Sequence, residues 1–232
     1  MSANPDFIYQ PPMKPYLDII YQDDDIVVLN KGSGLLTVPG RLPEHQDCLQ
    51  NRVKRVLPSA TIVHRLDMAT SGILLMALNK AAHVNISRQF EQRLTQKSYI
   101  ARVFGHIEQE SGTIDLPLIC DWPNRPKQKV DYEHGKASQT LYRVLNRKTD
   151  NGTDTTLVEL TPITGRSHQL RVHMLALGHP ILGDRLYAHH QALTTSPRLQ
   201  LHAQMLVINH PKTNEKIEFM CPSPFVAKAT NY

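Results

Sequence analysis

The stretch His64-Arg65-Leu66-Asp67-Met68-Ala69-Thr70-Ser71-Gly72 decides how this chain reads. Apolar residues flank it on both sides: Ile62, Val63 and Leu66 lead in, and Ile73-Leu74-Leu75-Met76-Ala77-Leu78 leads out. Short continuous apolar runs bounded by a Ser-Gly turn predict buried strands. Two buried strands joined by a loop carrying His, Arg, Asp and Thr would fix those polar groups on a rigid frame. A carboxylate is seldom buried unless it is paired. Two readings of Asp67 therefore stand side by side: a structural ion pair or loop cap, and a nucleophile or general base.

Upstream, the acidic turn Asp23-Asp24-Asp25 precedes Ile26-Val27-Val28-Leu29, which reads as a buried strand. An acidic run that begins a strand rather than ending one is unlike the nucleophile loop of dehalogenase-type phosphatases. Asn30-Lys31-Gly32-Ser33-Gly34 then turns, with neither GxxxxGK[ST] spacing nor the third glycine of GxGxxG, so it is no phosphate loop. Asp47 reads as a helix N-cap before Leu49, Val53, Val56 and Leu57, with Pro58 as the stop and Arg52, Lys54 and Arg55 on the outer face.

Downstream, Ala82, Ile86, Phe90 and Leu94 mark a helix over 80–94, and Tyr99, Ala101 and Val103 share one face of a strand over 97–104. Residues 108–137, with Trp122, Arg125, Lys127 and Lys129, read as irregular. Such a mix of aromatic and basic side chains suits either a plain surface loop or one lying on nucleic acid. Alternating runs over 138–145 and 155–161 around Asn151-Gly152 predict an antiparallel hairpin. Ser167 reads as the N-cap of a helix ending near Leu177 with Gly178 at C′, and 199–209 and 216–220 read as strands. About seven or eight strands with two or three helices predict an α+β fold, a mainly antiparallel or mixed central sheet with flanking helices.

At 232 residues and 41% hydrophobic content, the chain suffices for one compact domain. Residues 1–17 read as an irregular N-terminal arm and 18–232 as a single catalytic domain. No apolar run approaches the roughly 20 residues of a membrane span, and the N-terminus lacks signal-peptide character, so a cytoplasmic protein with no membrane partner is expected. The three cysteines form no CxxC pair and the twelve histidines form no HExxH, which leaves no metal motif. Cys48 reads as a small core residue. A formal net charge of +5 is compatible with a nucleic-acid partner without requiring one.

The stretch 64–72 resembles the HRLDxxTSG motif of the RluA family of pseudouridine synthases. Asn30-Lys31…Ser33-Gly34-Leu35 is similar to the family's NKPxG segment, with Gly32 in the usual proline position. Lys97-Ser98-Tyr99-Ile100-Ala101 resembles its KxYxA strand, and Gly165 through His173 resembles its GRxHQxRxH motif. Gly178-His179-Pro180-Ile181-Leu182-Gly183-Asp184…Tyr187 and Leu201-His202-Ala203 follow in the family's order. The likeness covers roughly residues 18–220. It implies the pseudouridine synthase fold, here without the small S4 RNA-binding domain of several relatives. The segment 116–129 is most similar to members acting on large-subunit rRNA and the anticodon arm of tRNA.

What the resemblance implies is an isomerase that detaches uracil from C1′ of ribose and rejoins it through C5. No redox step or phosphate transfer occurs, so no cofactor and no metal are expected. Asp67 is the implied catalytic residue, whether as C6 nucleophile, C1′ nucleophile or base. Arg166 is expected to pair with it, since an adjacent cation favours a charged carboxylate; a phosphate contact is the alternative for Arg166. Tyr99 is expected to stack on the flipped base, Leu170 to close its other face, and Arg65 to fill the space the base vacates. His64 and Thr70 read as supporting residues, and Lys31 and Arg171 as phosphate contacts. The implied partner is structured RNA, rRNA and tRNA stem-loops, bound by a monomer. A non-catalytic RNA-binding module is the competing reading, against which the set Asp67, Tyr99 and Arg166 argues.

Overall fold

The computed structural model describes residues 8–150 and 152–226. Twelve strands alternate with a few short helices: β1 (Ile19–Gln22), β2 (Ile26–Lys31), α1 (Leu49–Lys54), β3 (Thr61–Ile62), β4 (Ser71–Ala77), α2 (Lys80–Glu91), β5 (Gln96–Phe104), β6 (Ser111–Asp115), β7 (Leu118–Cys120), β8 (Gln128–Val130), β9 (Gln139–Asp150), β10 (Thr153–Pro162), α3 (Gln169–Ala176), α4 (His190–Thr194), β11 (Leu201–Asn209) and β12 (Lys216–Met220). Ten strands form one sheet whose path runs β1-β2-β4-β11-β5-β10-β9-β6, with β3 on β4 and β12 on β11. Every pairing is antiparallel except β4 with β11. The expected α+β class with a mixed sheet and flanking helices is what the chain forms.

The central strands are apolar on both faces because both faces are covered. Val27 and Leu29 of β2 and Leu74 and Met76 of β4 pack with Leu49 and Val53 of α1. Ile26, Val28, Ile73 and Leu75 pack on the other face with Ile86 of α2. Each such side chain contributes about 1.5–3 kcal/mol by leaving water. A third cluster joins β5 and β10 to Leu170 and Met174 of α3. Tyr99 touches both the α1 and the α3 clusters, so its ring stands at the seam between them.

The parallel contact at that seam explains the Ser-Gly pair. His202 lies opposite Ser71 and Ala203 opposite Gly72. Gly72 has φ +111°, and a Cβ there would run into the Ala203 backbone. Only glycine lets the two strands close this tightly. Ser71 Oγ meets His202 Nδ1 at 2.8 Å, and His202 Nε2 meets the Cys221 carbonyl at 2.9 Å, fixing the junction from behind.

Several local expectations are corrected. Cys48, not Asp47, caps α1, its sulfur accepting from the Asn51 amide; Asp47 instead binds Arg52. Arg52 is not on an outer face: it is 1% exposed and held by Asp47 and the carbonyls of Pro12 and Tyr16. The stretch 108–137 is not irregular, since it supplies edge strand β6 and the β7–β8 hairpin. The helix expected from Ser167 begins at Gln169, with His168 as the preceding residue in the left-handed region at φ +54°. The hairpin of β9 and β10 forms as read, although Asn151 of its turn lies outside the described residues. Of the expected arm, residues 8–17 are irregular and 1–7 lie outside the described residues. Among the described residues no helix is long and apolar enough to cross a membrane.

Candidate active site

The loop over 63–70 runs across the seam in front of β4 and is held by the segment that follows β2. Lys31 Nζ donates to the carbonyls of Gly32 at 2.9 Å, Leu35 at 2.7 Å and Met68 at 3.0 Å. Ser33 Oγ donates to the Ala69 carbonyl at 2.6 Å, and the Gly34 amide to Met68 at 2.9 Å. Thr37 Oγ1 donates to the Leu66 carbonyl at 2.7 Å and accepts from the Leu66 amide at 3.3 Å. Thr70, buried, donates its amide to the Asp67 carbonyl at 3.1 Å. The backbone on either side of Asp67 is thus tied down by three elements of sequence.

Lys31 is fully buried and does not face the cleft, so the expected phosphate contact is corrected. Burial, with the Arg198 charge acting the same way, lowers its pKa to about 7 against the opposing Asp67 charge. Its three carbonyl partners match the three protons of the ammonium form. His64, expected to support the site, is anchored to β4 and α2. Its Nε2 accepts from the Leu75 amide at 2.9 Å, its ring stacks on Phe90, and burial pulls its pKa down to about 3.

Asp67 projects toward α3. Its Oδ2 lies 3.4 Å from Arg171 Nη1 and 3.9 Å from His168 Nε2, and its side chain keeps 27% exposure. Arg171 is itself held rigidly: Asp184 takes its Nε at 2.8 Å and its Nη2 at 2.7 Å in a bidentate pair. That fork geometry aims the remaining nitrogen at Asp67. Burial lowers the Arg171 pKa, but the hydrogen bonds to Asp184 and the charges of Asp184 and Asp67 outweigh it and raise the value.

The expected pair of Asp67 with Arg166 is corrected. Arg166 stands outside the helix, exposed, with its Nε 3.3 Å from the Ala137 carbonyl. Gln169 Oε1 accepts from Thr164 Oγ1 at 2.7 Å and from the Arg166 amide at 3.0 Å, which anchors 164–166 ahead of the helix start at Gln169. Arg171 is likewise corrected from phosphate contact to partner of Asp67, since its side chain is 5% exposed. The spacing Arg166 to Leu170 suggested a shared helix face; the later helix start puts His168 and Arg171, three apart, toward Asp67 instead.

Arg65, Asp67, Tyr99, Arg166 and Leu170 all line one cleft of about 2040 Å³. That exceeds the roughly 300–1,000 Å³ of a small-molecule pocket. Exposed Arg41, Arg65, Arg93, Arg125, Arg166 and Arg185 border it, against the acids Asp18, Asp67 and Glu91. Burial raises the Tyr99 pKa and the nearby Asp67 charge raises it further, so the phenol stays neutral. Leu170 is buried at the start of α3. Exposed Trp122, with Arg125 4.5 Å over its ring, sits on the connection between β7 and β8. The one grouping of potential metal ligands among the described residues, Asp23, Asp25 and His210, is outside this cleft. Hydrogen bonds from Tyr21, His210 and two backbone amides to Asp23 account for it.

The model of the RNA pseudouridylate synthase family matches residues 25–176, which hold the strapped loop, Tyr99 and all of α3. The chain belongs to the RluA family of RNA pseudouridine synthases. Dual-specificity RNA pseudouridine synthase RluA of Salmonella typhimurium is 58% identical over 217 residues, covering 94% of this chain and 98% of the relative. The Escherichia coli enzyme of the same name matches at 58% over the same shares, and that of Vibrio vulnificus at 54%, covering 95% and 89%. Among solved structures, human RNA pseudouridylate synthase domain containing 1 superposes with a TM-score of 0.78 at 33% identity, covering 94% of this chain and 87% of that one. Human RNA pseudouridylate synthase domain containing 4 gives 0.70 at 27%, covering 90% and 89%. This synthase is an isomerase that makes pseudouridine in RNA. Sequence reasoning missed His168, which lines the cleft 3.9 Å from Asp67, and Asp184 and Tyr187, which hold Arg171 and His168 from behind; all three lie in the quoted motifs.

Proposed function

We propose that this synthase modifies uridines in both large-subunit rRNA and the anticodon arm of tRNA, with Asp67 as its essential carboxylate. The observation that carries the reading is one carboxylate, on a loop strapped by Lys31 and Ser33, facing a wide arginine-rimmed cleft. The dual-specificity relatives, alike over nearly their whole length, support the two substrate classes.

A target uridine inside folded RNA must leave its stack, which costs a few kcal/mol. Tyr99 offers a neutral ring at the cleft seam, and base–aromatic stacking returns about 1–3 kcal/mol. Leu170 covers the opposite face of the uracil. Arg65, exposed beside Asp67, takes the vacated position in the RNA stack. Asp67 then attacks C6, attacks C1′ or removes a ribose proton; each route needs one carboxylate held at the glycosidic bond. Arg166, free of Asp67 and exposed on the rim, meets the RNA backbone. The isomerisation changes no oxidation state and moves no phosphate, so its chemistry asks for neither metal nor cofactor. The enzyme acts in the cytoplasm as a monomer, and the catalytic domain meets RNA along the border of its cleft.

The test is incubation of the purified chain with transcripts of large-subunit rRNA and of tRNAs, followed by mapping of pseudouridine. Discrete sites in both substrates are expected. Modification confined to one class would contradict the dual specificity, and modification of neither would contradict the reading.

A further inference from the structure

Asp67 has a second neighbour whose role the reaction scheme leaves open. His168 sits at the start of α3 with φ +54°, a conformation that costs a non-glycine residue energy, and its side chain caps nothing in the helix. It is only 12% exposed. Its Nδ1 lies 2.7 Å from the Tyr187 hydroxyl, and its Nε2 points at Asp67 Oδ2, 3.9 Å away. The Gln128 amide donates to that same hydroxyl at 2.8 Å, so the hydroxyl's own hydrogen is the one left for His168 Nδ1. A neutral imidazole that accepts at Nδ1 carries its proton on Nε2.

We infer that Tyr187 locks His168 in the Nε2–H form, making His168 a positioning residue that, together with Arg171, holds Asp67 Oδ2 and leaves Oδ1 as the oxygen offered to the substrate. The inference rests on Asp67 being the reacting carboxylate. Burial lowers the His168 pKa, with Arg171 acting in the same direction and Asp67 and Asp184 opposing, and the net effect favours the neutral ring. The Tyr187 ring is fixed in turn: Arg171 lies 5.0 Å over it, and the His168 ring meets it edge-on at 5.6 Å. Catalytic contacts that are long in the free enzyme commonly shorten when substrate seats, which is what the 3.9 Å approach requires. Gln128 belongs to β8, so the hydrogen-bond chain also ties the hairpin bearing Trp122 and Arg125 to the reacting carboxylate.

Long-range ¹⁵N spectra of the histidine-labelled full chain read the tautomer directly. The wild type is expected to show His168 protonated on Nε2 only, and Tyr187→Phe to mix the two forms. In turnover assays on an RNA substrate, His168→Asn keeps a residue tolerant of the left-handed backbone. It and Tyr187→Phe are each expected to lower kcat at least fivefold with KM within twofold. Protonation of His168 on Nδ1 in the wild type overturns the inference, as does a folded His168→Asn variant that loses less than fivefold in kcat. If Asp67→Asn turns over like the wild type, the site assignment itself fails. If Asp67→Asn is inactive and His168→Asn is unimpaired, only the positioning role falls.

Discussion

Tyr99 shows how one side chain serves two purposes. It belongs to β5, packs against the apolar clusters on either side of the seam, and still presents part of its ring to the cleft. Tyr99→Leu keeps much of the packing volume but removes the flat aromatic surface. We expect it to lower kcat/KM by roughly 30-fold, about 2 kcal/mol of stacking, while Tyr99→Phe stays within about threefold. Steady-state assays on one RNA substrate check both; equal losses would assign the hydroxyl rather than the ring. At this scale the sequence was legible where chemistry is local. Asp67, Tyr99, Leu170 and Arg65, each singled out by a local motif, all line the one cleft. It was illegible where a partner comes from far away. Lys31 is buried because Met68 offers it a carbonyl, and Arg52 because Pro12 and Tyr16 do. Charge in a sequence says nothing about such distant acceptors.

Among elements, those with strong periodicity were legible: β2, β4, α2, the β9–β10 hairpin and β12 form where the pattern points. Short elements were not. The start of α3 is set by Gln169 reaching back to Thr164 and by His168 accepting a left-handed backbone, and neither leaves an apolar pattern. Helix α1 is too short for propensity to fix its ends, and the Arg52–Asp47 pair does so instead. Removing Asp47 would leave Arg52 buried without a counter-charge. Because the Asp47 carboxyl is itself 34% exposed, we expect Asp47→Ala to cost about 2 kcal/mol, less than a fully buried pair. In a thermal melt this is a fall of roughly 6 °C. The hydrogen bonds from Arg52 hold the Asp47 pKa below its ordinary 3.8 despite burial. The pair therefore contributes fully above that value and is lost as pH falls through the lower folded value. The gap between wild type and variant should close in melts at strongly acid pH; a gap unchanged there would contradict the assignment.

At the scale of the molecule, the sheet divides the work. Its apolar strands fix the seam, and the cleft above the seam carries a border of arginines. The class and the mixed sheet were legible from alternation and hairpin signals. The parallel join of β4 to β11 was not, because strands so far apart in sequence carry no local mark of pairing. If the six arginines on the cleft border each neutralise a phosphate, log affinity for RNA should fall with log salt at a slope of about −4. Titration across a salt series measures this, and a flat response would contradict a phosphate-dominated footprint. Binding and reaction should therefore separate, the first spread over the border and the second confined to one carboxylate. The most direct test is tritium release from RNA labelled at C5 of uridine, measured for wild type and Asp67→Asn beside a binding titration. The account predicts steady release by the wild type, a loss of more than about 100-fold in Asp67→Asn, roughly 3 kcal/mol in barrier, and RNA affinity within a few-fold. Release by Asp67→Asn above about one per cent of the wild-type rate would contradict it.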